Sequence, residues 1–251
     1  MKLTIIVLTK NESRHISDCL AGLRQFEGLA VELLVIDDGS DDNTVELAQA
    51  AGARVVAHRL NSFAEQRNFA LSQVTGGWVF FLDADERFSP DLLAAIARHM
   101  TESPDAAGSA VRRNFAFGQR HRFGPLKPDR VTRLFPPDSV IWEGRVHERP
   151  VCELPVRPLG GHLRHLTYHS WGQYLAKQHR YADLWAEEGR AAGKTTTPLK
   201  AFGRAWAGFM KMFVLNLGFL GGPVAWSLCW YHGAYTLTKY LKLLDKDGKS
   251  Y

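Results

Sequence analysis

Trp78-Val-Phe-Phe-Leu-Asp-Ala-Asp85 is a run of five apolar residues followed at once by two carboxylates. Unbroken apolar character over this length is what a strand covered on both faces requires. Two carboxylates on the tight turn at its end are hard oxygen ligands suited to Mg²⁺ or Mn²⁺. A diphosphate leaves poorly until its charge is neutralised, and a cation bridging the phosphates does that. Taken alone, the pair fits a solvated turn whose acids cap a helix equally well. Its place in the chain decides between the two.

Upstream, strand and helix patterns alternate. Leu3–Leu8 reads as a buried strand, followed by a helix capped by Ser13 with Ile16, Cys19, Leu20 and Leu23 on one face. Val31–Ile36 is a second strand, ending in the turn Asp37-Asp38-Gly39-Ser40. A helix with Val45, Leu47 and Ala48 leads to a short strand, Arg54–Ala57. Asn61 or Ser62 starts the next helix, which Gly76-Gly77 breaks, and Ser89-Pro90 opens another after the carboxylates. This order predicts an α/β fold, with a mostly parallel sheet and helices on both faces. Ligands bind such sheets beyond the carboxyl ends of the strands. Thr9–Glu12, Asp37–Ser40 and Asp83–Asp85 all fall there.

Downstream, short strands are predicted at Ser109–Phe115, Val131–Phe135 and Val140–Trp142, with loops carrying Pro and Gly between them. After Ser170 the chain turns helical. Trp206, Phe209, Phe213 and Leu217 share one stripe, and Gly218–Pro223 interrupts the apolar run that follows. That run is too short and too broken for a span. With Trp226, Trp230, Tyr231, Tyr235 and Tyr240 near Lys239 and Lys242, it reads as an interfacial anchor. The expected organisation is therefore an α/β domain over residues 1–170, whose pattern changes between a first part (1–100) and a second (101–170). A helical, membrane-associating tail covers 171–251.

The 251 residues carry a net charge of +5, with 45% hydrophobic and 23% charged residues, as an ordered globular chain does. The positive charge is concentrated. Arg112, Arg113, Arg120, Arg122, Lys127, Arg130 and Arg133 face one acid, Asp129, within a single segment. Such a field attracts an anionic partner. The three cysteines show no CxxC spacing, which argues against a zinc knuckle or redox motif. The first strand begins almost at once, so no cleavable leader is expected. The chain is placed in the cytoplasm, peripheral on the inner face of the membrane.

Leu3-Thr-Ile-Ile-Val-Leu-Thr-Lys-Asn-Glu12, Val35-Ile-Asp-Asp-Gly-Ser-Asp41 and Leu82-Asp-Ala-Asp-Glu86 resemble the successive motifs of family 2 glycosyltransferases. Gln66-Arg-Asn-Phe-Ala-Leu71, Arg133-Leu-Phe135 and Val146-His-Glu-Arg-Pro150 extend the likeness. They bring it close to the bacterial lipopolysaccharide core-biosynthesis branch. The resemblance implies a GT-A fold, a UDP-sugar donor and inversion at the transferred carbon. It implies that Thr9, Asn11, Glu12 and Asp38 lie by the base and ribose, with Gln66 and Arg67 towards the donor phosphates. Asp83 would contact the ribose side or the metal, and Asp85 the metal. A later histidine would complete that site; His165 is chosen, with His162 and His169 as rivals. Mg²⁺ or Mn²⁺ is the expected cofactor.

Inversion by single displacement needs a base on the side opposite the leaving diphosphate. Glu148 fits that part best, with Glu143 second. Arg120, Arg122, Arg130, Arg133 and His147 are expected to meet a phosphorylated glycolipid acceptor. Glucose is a candidate sugar. Polyprenyl phosphate, a capsular glycan or a protein are other acceptors for the same fold. A nucleotidyltransferase would need a Gly-rich phosphate loop after the first strand, which Thr9–Glu12 lacks. A non-catalytic nucleotide-sugar or nucleic-acid binder would leave Asp83, Asp85 and Glu148 without a task, so no nucleic acid is expected as partner.

Overall fold

The computed structural model describes residues 1–23, 28–144 and 148–245. The chain forms two compact units. One comprises Met1–Arg112 and Asp129–His165, the other Arg113–Pro128 and Leu166–Tyr251.

The first unit is built on β1 (Lys2–Thr9), β2 (Ala30–Asp37), β3 (Arg54–Ala57) and β4 (Trp78–Asp83). All three pairings among these strands are parallel, β1 lying between β2 and β4 and β3 outside β2. Alternate side chains go to opposite faces, and both faces are covered. Leu3, Ile5, Val7 and Phe80 pack against α1 (Ile16–Leu20), α2 (Thr44–Ala50) and α4 (Pro90–Glu102). Ile6, Leu34, Ile36, Val79 and Phe81 pack against α3 (Phe63–Ser72) and Trp142.

Beyond β4 the sheet changes character. Its strand order is β3-β2-β1-β4-β8-β6-β11-β5, with β5 at Glu86–Phe88, β6 at Ala107–Ala116, β8 at Asp129–Phe135 and β11 at Val156–Tyr168. β4·β8, β6·β8 and β5·β11 are antiparallel. The expected α/β sheet is present, and it is mixed: parallel from β3 to β4, with antiparallel pairings beyond. β9 (Val140–Glu143) and β10 (Arg149–Cys152) form a separate antiparallel pair.

Local signals were decisive in some places and overridden in others. Ser62 caps α3, its hydroxyl accepting from the Glu65 N–H. Ser13 caps nothing; α1 starts at Ile16, and the Ser13 N–H donates to Asp42 Oδ2 at 3.2 Å. Ser89 sits before α4 as predicted, but its hydroxyl accepts from the His162 N–H at 2.8 Å, tying α4 to β11. Gly77 ends the turn after α3 with φ +83°, and a Cβ there would stand 2.6 Å from the Lys2 carbonyl oxygen. Only glycine fits that approach.

The second unit contains α5 (Trp171–Ala191), α6 (Pro198–Met210) and α7 (Gly222–Leu244). The short strand β7 (Gln119–Arg120) pairs with the end of β6. Ser170 and Thr197 cap α5 and α6. A π turn over Lys211–Leu215 and a 3₁₀ turn over Gly218–Gly221 join α6 to α7. Ala116, Tyr168, Tyr174 and Leu228 form its core. Among the described residues no single helix is long and apolar enough to cross a membrane. Pro198–Leu215 and Gly218–Leu244 reach that length and composition only as a pair, bent by 64°.

Candidate active site

Two loops at the carboxyl ends of β1 and β2 are laced together. The Asp38 N–H donates to the Thr9 carbonyl at 2.9 Å, and the Thr9 hydroxyl donates to Asp37 Oδ1 at 3.1 Å. Asn11, at φ +56°, accepts from the Asp41 N–H through its side chain and donates its own N–H to Ser40 Oγ. The Glu12 N–H donates to Thr44 Oγ1. Asp38 is buried; its carboxylate pairs with Lys10 Nζ at 2.9 Å and accepts from the Leu60 N–H at 2.7 Å. Burial pushes that carboxyl up, but the Leu60 N–H and Lys10 outweigh it and hold it below the usual range.

α3 supplies three consecutive polar side chains, each fastened to a different element. Gln66 Nε2 donates to the His58 carbonyl at 3.0 Å. Asn68 bonds the Trp142 backbone twice, accepting its N–H at 2.8 Å and donating to its carbonyl at 2.9 Å. Arg67 between them is buried, with its guanidinium over the rings of Phe81 and Trp142, 5.2 and 4.5 Å from their centroids.

Arg67 is one of three arginines around the carboxylates that follow β4. Its Nη2 bonds Asp83 Oδ1 at 3.1 Å and lies 3.7 Å from Glu148 Oε1. Arg133 Nη2 bonds Asp83 Oδ2 at 2.6 Å and lies 3.7 Å from Glu86 Oε1. Arg112 Nη1 is 3.6 Å from Glu86 Oε1, and its other nitrogens bond Asp129. Glu86 is fully buried, and its Oε2 accepts the Asp83 N–H at 3.0 Å. Burial raises the Asp83 carboxyl, yet Arg133 and Arg67 prevail and hold it far below the usual range. Glu86 goes the other way, pushed up by burial and by Asp83. Arg67 Nε, Arg133 Nε and Glu86 Oε1 are buried without a hydrogen bond. Such charge is costly to bury and is found where function demands it.

Asp85, two residues on, points elsewhere. Its Oδ2 lies 3.2 Å from His165 Nε2. The β5–β11 register sets Glu86 opposite His165 and so brings the residue before it within reach. The carboxylate oxygen is a donor that suits Mn²⁺ or Mg²⁺, and the imidazole nitrogen beside it suits a transition ion such as Mn²⁺ better than Mg²⁺. Among the described residues no three His, Cys, Asp or Glu side chains converge as a complete cage.

The remaining predicted residues fall in separate places. Arg133 belongs to the basic segment in sequence, but it is turned inward on Asp83 rather than onto an outer basic face. Arg130 is exposed, with Nη1 donating to the Ser109 carbonyl. In the second unit, Arg120 and Arg122 line a cleft of about 180 Å³ with His121, Leu220 and Ala225. Burial, then Arg113 and Arg122, lower the Arg120 guanidinium's pKa, a mark of crowded positive charge. Glu143 lies opposite Arg149 in the β9–β10 pair. His147 lies outside the described residues. Sequence reasoning missed Glu86, although it follows directly on Asp85.

The laced loops at β1 and β2 and the carboxylate turn at β4 share one edge of the sheet. Residues 4–142 match the family described as "Glycosyl transferase family 2", and the chain belongs to that family. It is 25% identical over 225 residues to the "Lipopolysaccharide core biosynthesis glycosyltransferase LpsC" of Rhizobium meliloti (strain 1021), spanning 86% of this chain and 82% of that one. It is 33% identical over 91 residues to an uncharacterized glycosyltransferase of Rickettsia prowazekii, covering 36% of this chain and 30% of the relative. Among solved structures it is similar to glucosyl-3-phosphoglycerate synthase from Mycobacterium tuberculosis, which was crystallised with Mn²⁺, uridine diphosphate and glucosyl-3-phosphoglycerate. Identity there is 24% and the TM-score 0.38, over 47% of this chain and 44% of that structure, less than half its length.

Proposed function

We propose that the protein is an inverting hexosyltransferase that moves a sugar from a UDP-sugar to a phosphorylated glycolipid of the lipopolysaccharide core type. The observation that carries the reading is a pair of clusters set by the turn after β4: Asp83 with Arg67, Arg133 and Glu148, and Asp85 with His165. Thr9, Asn11, Glu12 and Asp38 form the uridine side. Asp85 and His165 would hold Mg²⁺ or Mn²⁺, which would supply positive charge against the departing diphosphate. Asp83, fixed from both sides by Arg67 and Arg133, keeps the turn in the shape that presents Asp85.

Glu148 takes the proton from the acceptor hydroxyl as that oxygen forms its bond to the sugar carbon. The bond from the same carbon to the phosphate oxygen breaks, and the diphosphate leaves with its electron pair. Arg67 touches both Asp83 and Glu148, so it couples the donor turn to the base.

The acceptor reading draws on the lipopolysaccharide core relative and on the crowded arginines at 113, 120 and 122. A segment of that charge suits the phosphates of a glycolipid core. The chain acts at the inner face of the cytoplasmic membrane, where such acceptors are built. Transfer from UDP-glucose to truncated lipopolysaccharide tests this. Wild type forms the product, and Arg120→Ala with Arg122→Ala raises acceptor KM while kcat is kept. An unchanged KM would remove the arginines from acceptor binding.

A further inference from the structure

Residues 198–244 hold five cations, Lys200, Arg204, Lys211, Lys239 and Lys242, and no aspartate or glutamate. The same stretch exposes large apolar side chains: Leu199 at 83%, Leu215 at 76%, Trp230 at 62%, and Phe202 and Trp206 at 59%. Scattered apolar exposure is ordinary, but concentration on one helical pair marks a contact surface.

Between α6 and α7 runs a groove of about 290 Å³. Phe202, Trp206, Phe209, Trp230 and Leu237 wall it, Gly233 lies at its floor, and no charged side chain lines it. The Phe209 and Trp230 rings pack tilted against each other, centroids 4.5 Å apart. Ala234 separates the groove from a smaller cleft of about 150 Å³, where Tyr174, Gln178, Tyr231, Tyr235 and Thr238 offer polar groups. An apolar slot beside a second cleft edged by a few polar groups, with Lys200, Arg204 and Lys211 exposed on α6 and its continuation and Lys242 paired with Asp183 of α5, matches an anionic amphiphile.

We propose that this face docks on an anionic phospholipid leaflet, with one acyl chain in the α6–α7 groove and the headgroup by the tyrosines. The volume lies at the lower end for ligand sites, about 300 Å³, and suits one chain rather than a whole lipid. Lys200, Arg204 and Lys211 are exposed on the same helix and its continuation, off the Phe202–Trp206–Phe209 stripe, and supply longer-range attraction to an anionic surface rather than a direct seat. A second copy of this chain is a poor occupant, because it brings the same cations against these. The pair is bent by 64°, and among the described residues neither helix is by itself long and apolar enough to cross. The proposal rests on the glycolipid reading above and names the surface on which that acceptor is met.

The test is flotation of the full-length protein with vesicles of phosphatidylcholine, alone or mixed with phosphatidylglycerol. A parallel set carries bromine on the acyl chains. The mixed vesicles are expected to bind at least about tenfold more tightly, with the preference lost in high salt. Brominated chains are expected to quench tryptophan fluorescence, and Trp206→Ala with Trp230→Ala to remove much of that quenching and weaken binding about tenfold. Equal binding to both vesicles, absence of quenching, or no binding at all would overturn the proposal. So would self-association of the protein that Trp230→Ala abolishes, since a second copy would then own the face. Mn²⁺-dependent UDP binding is measured on the same samples. Its retention without vesicle binding sinks the lipid seat alone, and its loss with vesicle binding intact sinks the transferase chemistry alone.

Discussion

The carboxylate of Asp85 and the imidazole of His165 meet at 3.2 Å although 80 positions separate them. The antiparallel pairing of β5 with β11 makes the contact, so the pair is built by the half of the sheet that departs from parallel order. Asp85→Ala and His165→Ala are each expected to weaken Mn²⁺ affinity by at least about 10–100-fold, the range already seen for losing a residue that only supports a metal ligand. Titration of Mn²⁺ with UDP present measures this, and circular dichroism checks the fold. An effect from one variant only would show that the two residues do not share an ion.

Asp83 ties acid stability to Arg67 and Arg133. Its folded pKa is depressed, so its stabilisation is complete above the unfolded value of about 3.9 and is lost as pH falls towards the folded value. Asp83→Asn should therefore lower the urea midpoint at pH 7. The gap to wild type should narrow progressively below about pH 4. A gap that stays constant down to acid pH would mean that the Asp83 charge contributes nothing.

Glu148 is partly buried and faces Arg67 at 3.7 Å. Glu148→Gln keeps the shape and removes the base. Turnover should fall by about 10²–10⁴-fold, the usual worth of a positioned base, while UDP-sugar affinity stays within a few-fold. Equal losses of affinity and turnover would make Glu148 a binding group instead.

Asn68 fastens α3 to β9 through both polar atoms of the Trp142 backbone. Asn68→Ala strands that donor and acceptor in a part-buried setting. It should cost about 1–3 kcal/mol in chemical denaturation. Because β9 leads towards Glu148 and Arg67 neighbours Asn68, turnover should fall more than donor affinity. Full stability in this variant would show that water replaces the amide.

The parallel half was legible because an unbroken apolar run of five or six residues, bounded by polar turns, fits little besides a strand covered on both faces. Leu3–Leu8, Val31–Ile36 and Trp78–Leu82 all lie within the observed β1, β2 and β4. Their polar ends lie together, since strand carboxyl ends share one edge of a parallel sheet. The antiparallel half was harder. Glu86-Arg87-Phe88 is too short and charged to read as a strand, and Pro158, Gly160 and Gly161 disguise β11. Arg133 stands among basic neighbours in the sequence. The antiparallel pairing of β8 with β4 instead turns it onto Asp83. Ser13 and Ser89 show a similar limit, for their partners lie in Asp42 and His162, far along the chain.

The central claim, metal-assisted sugar transfer from a UDP donor, is tested most directly by UDP release. A panel of UDP-sugars is incubated with the protein plus Mn²⁺, plus Mg²⁺ or plus EDTA, in wild type and Asp85→Ala. Slow release from one donor, abolished by EDTA and by the substitution, is the predicted result. No release from any donor, or release indifferent to both metal and Asp85, would contradict the account.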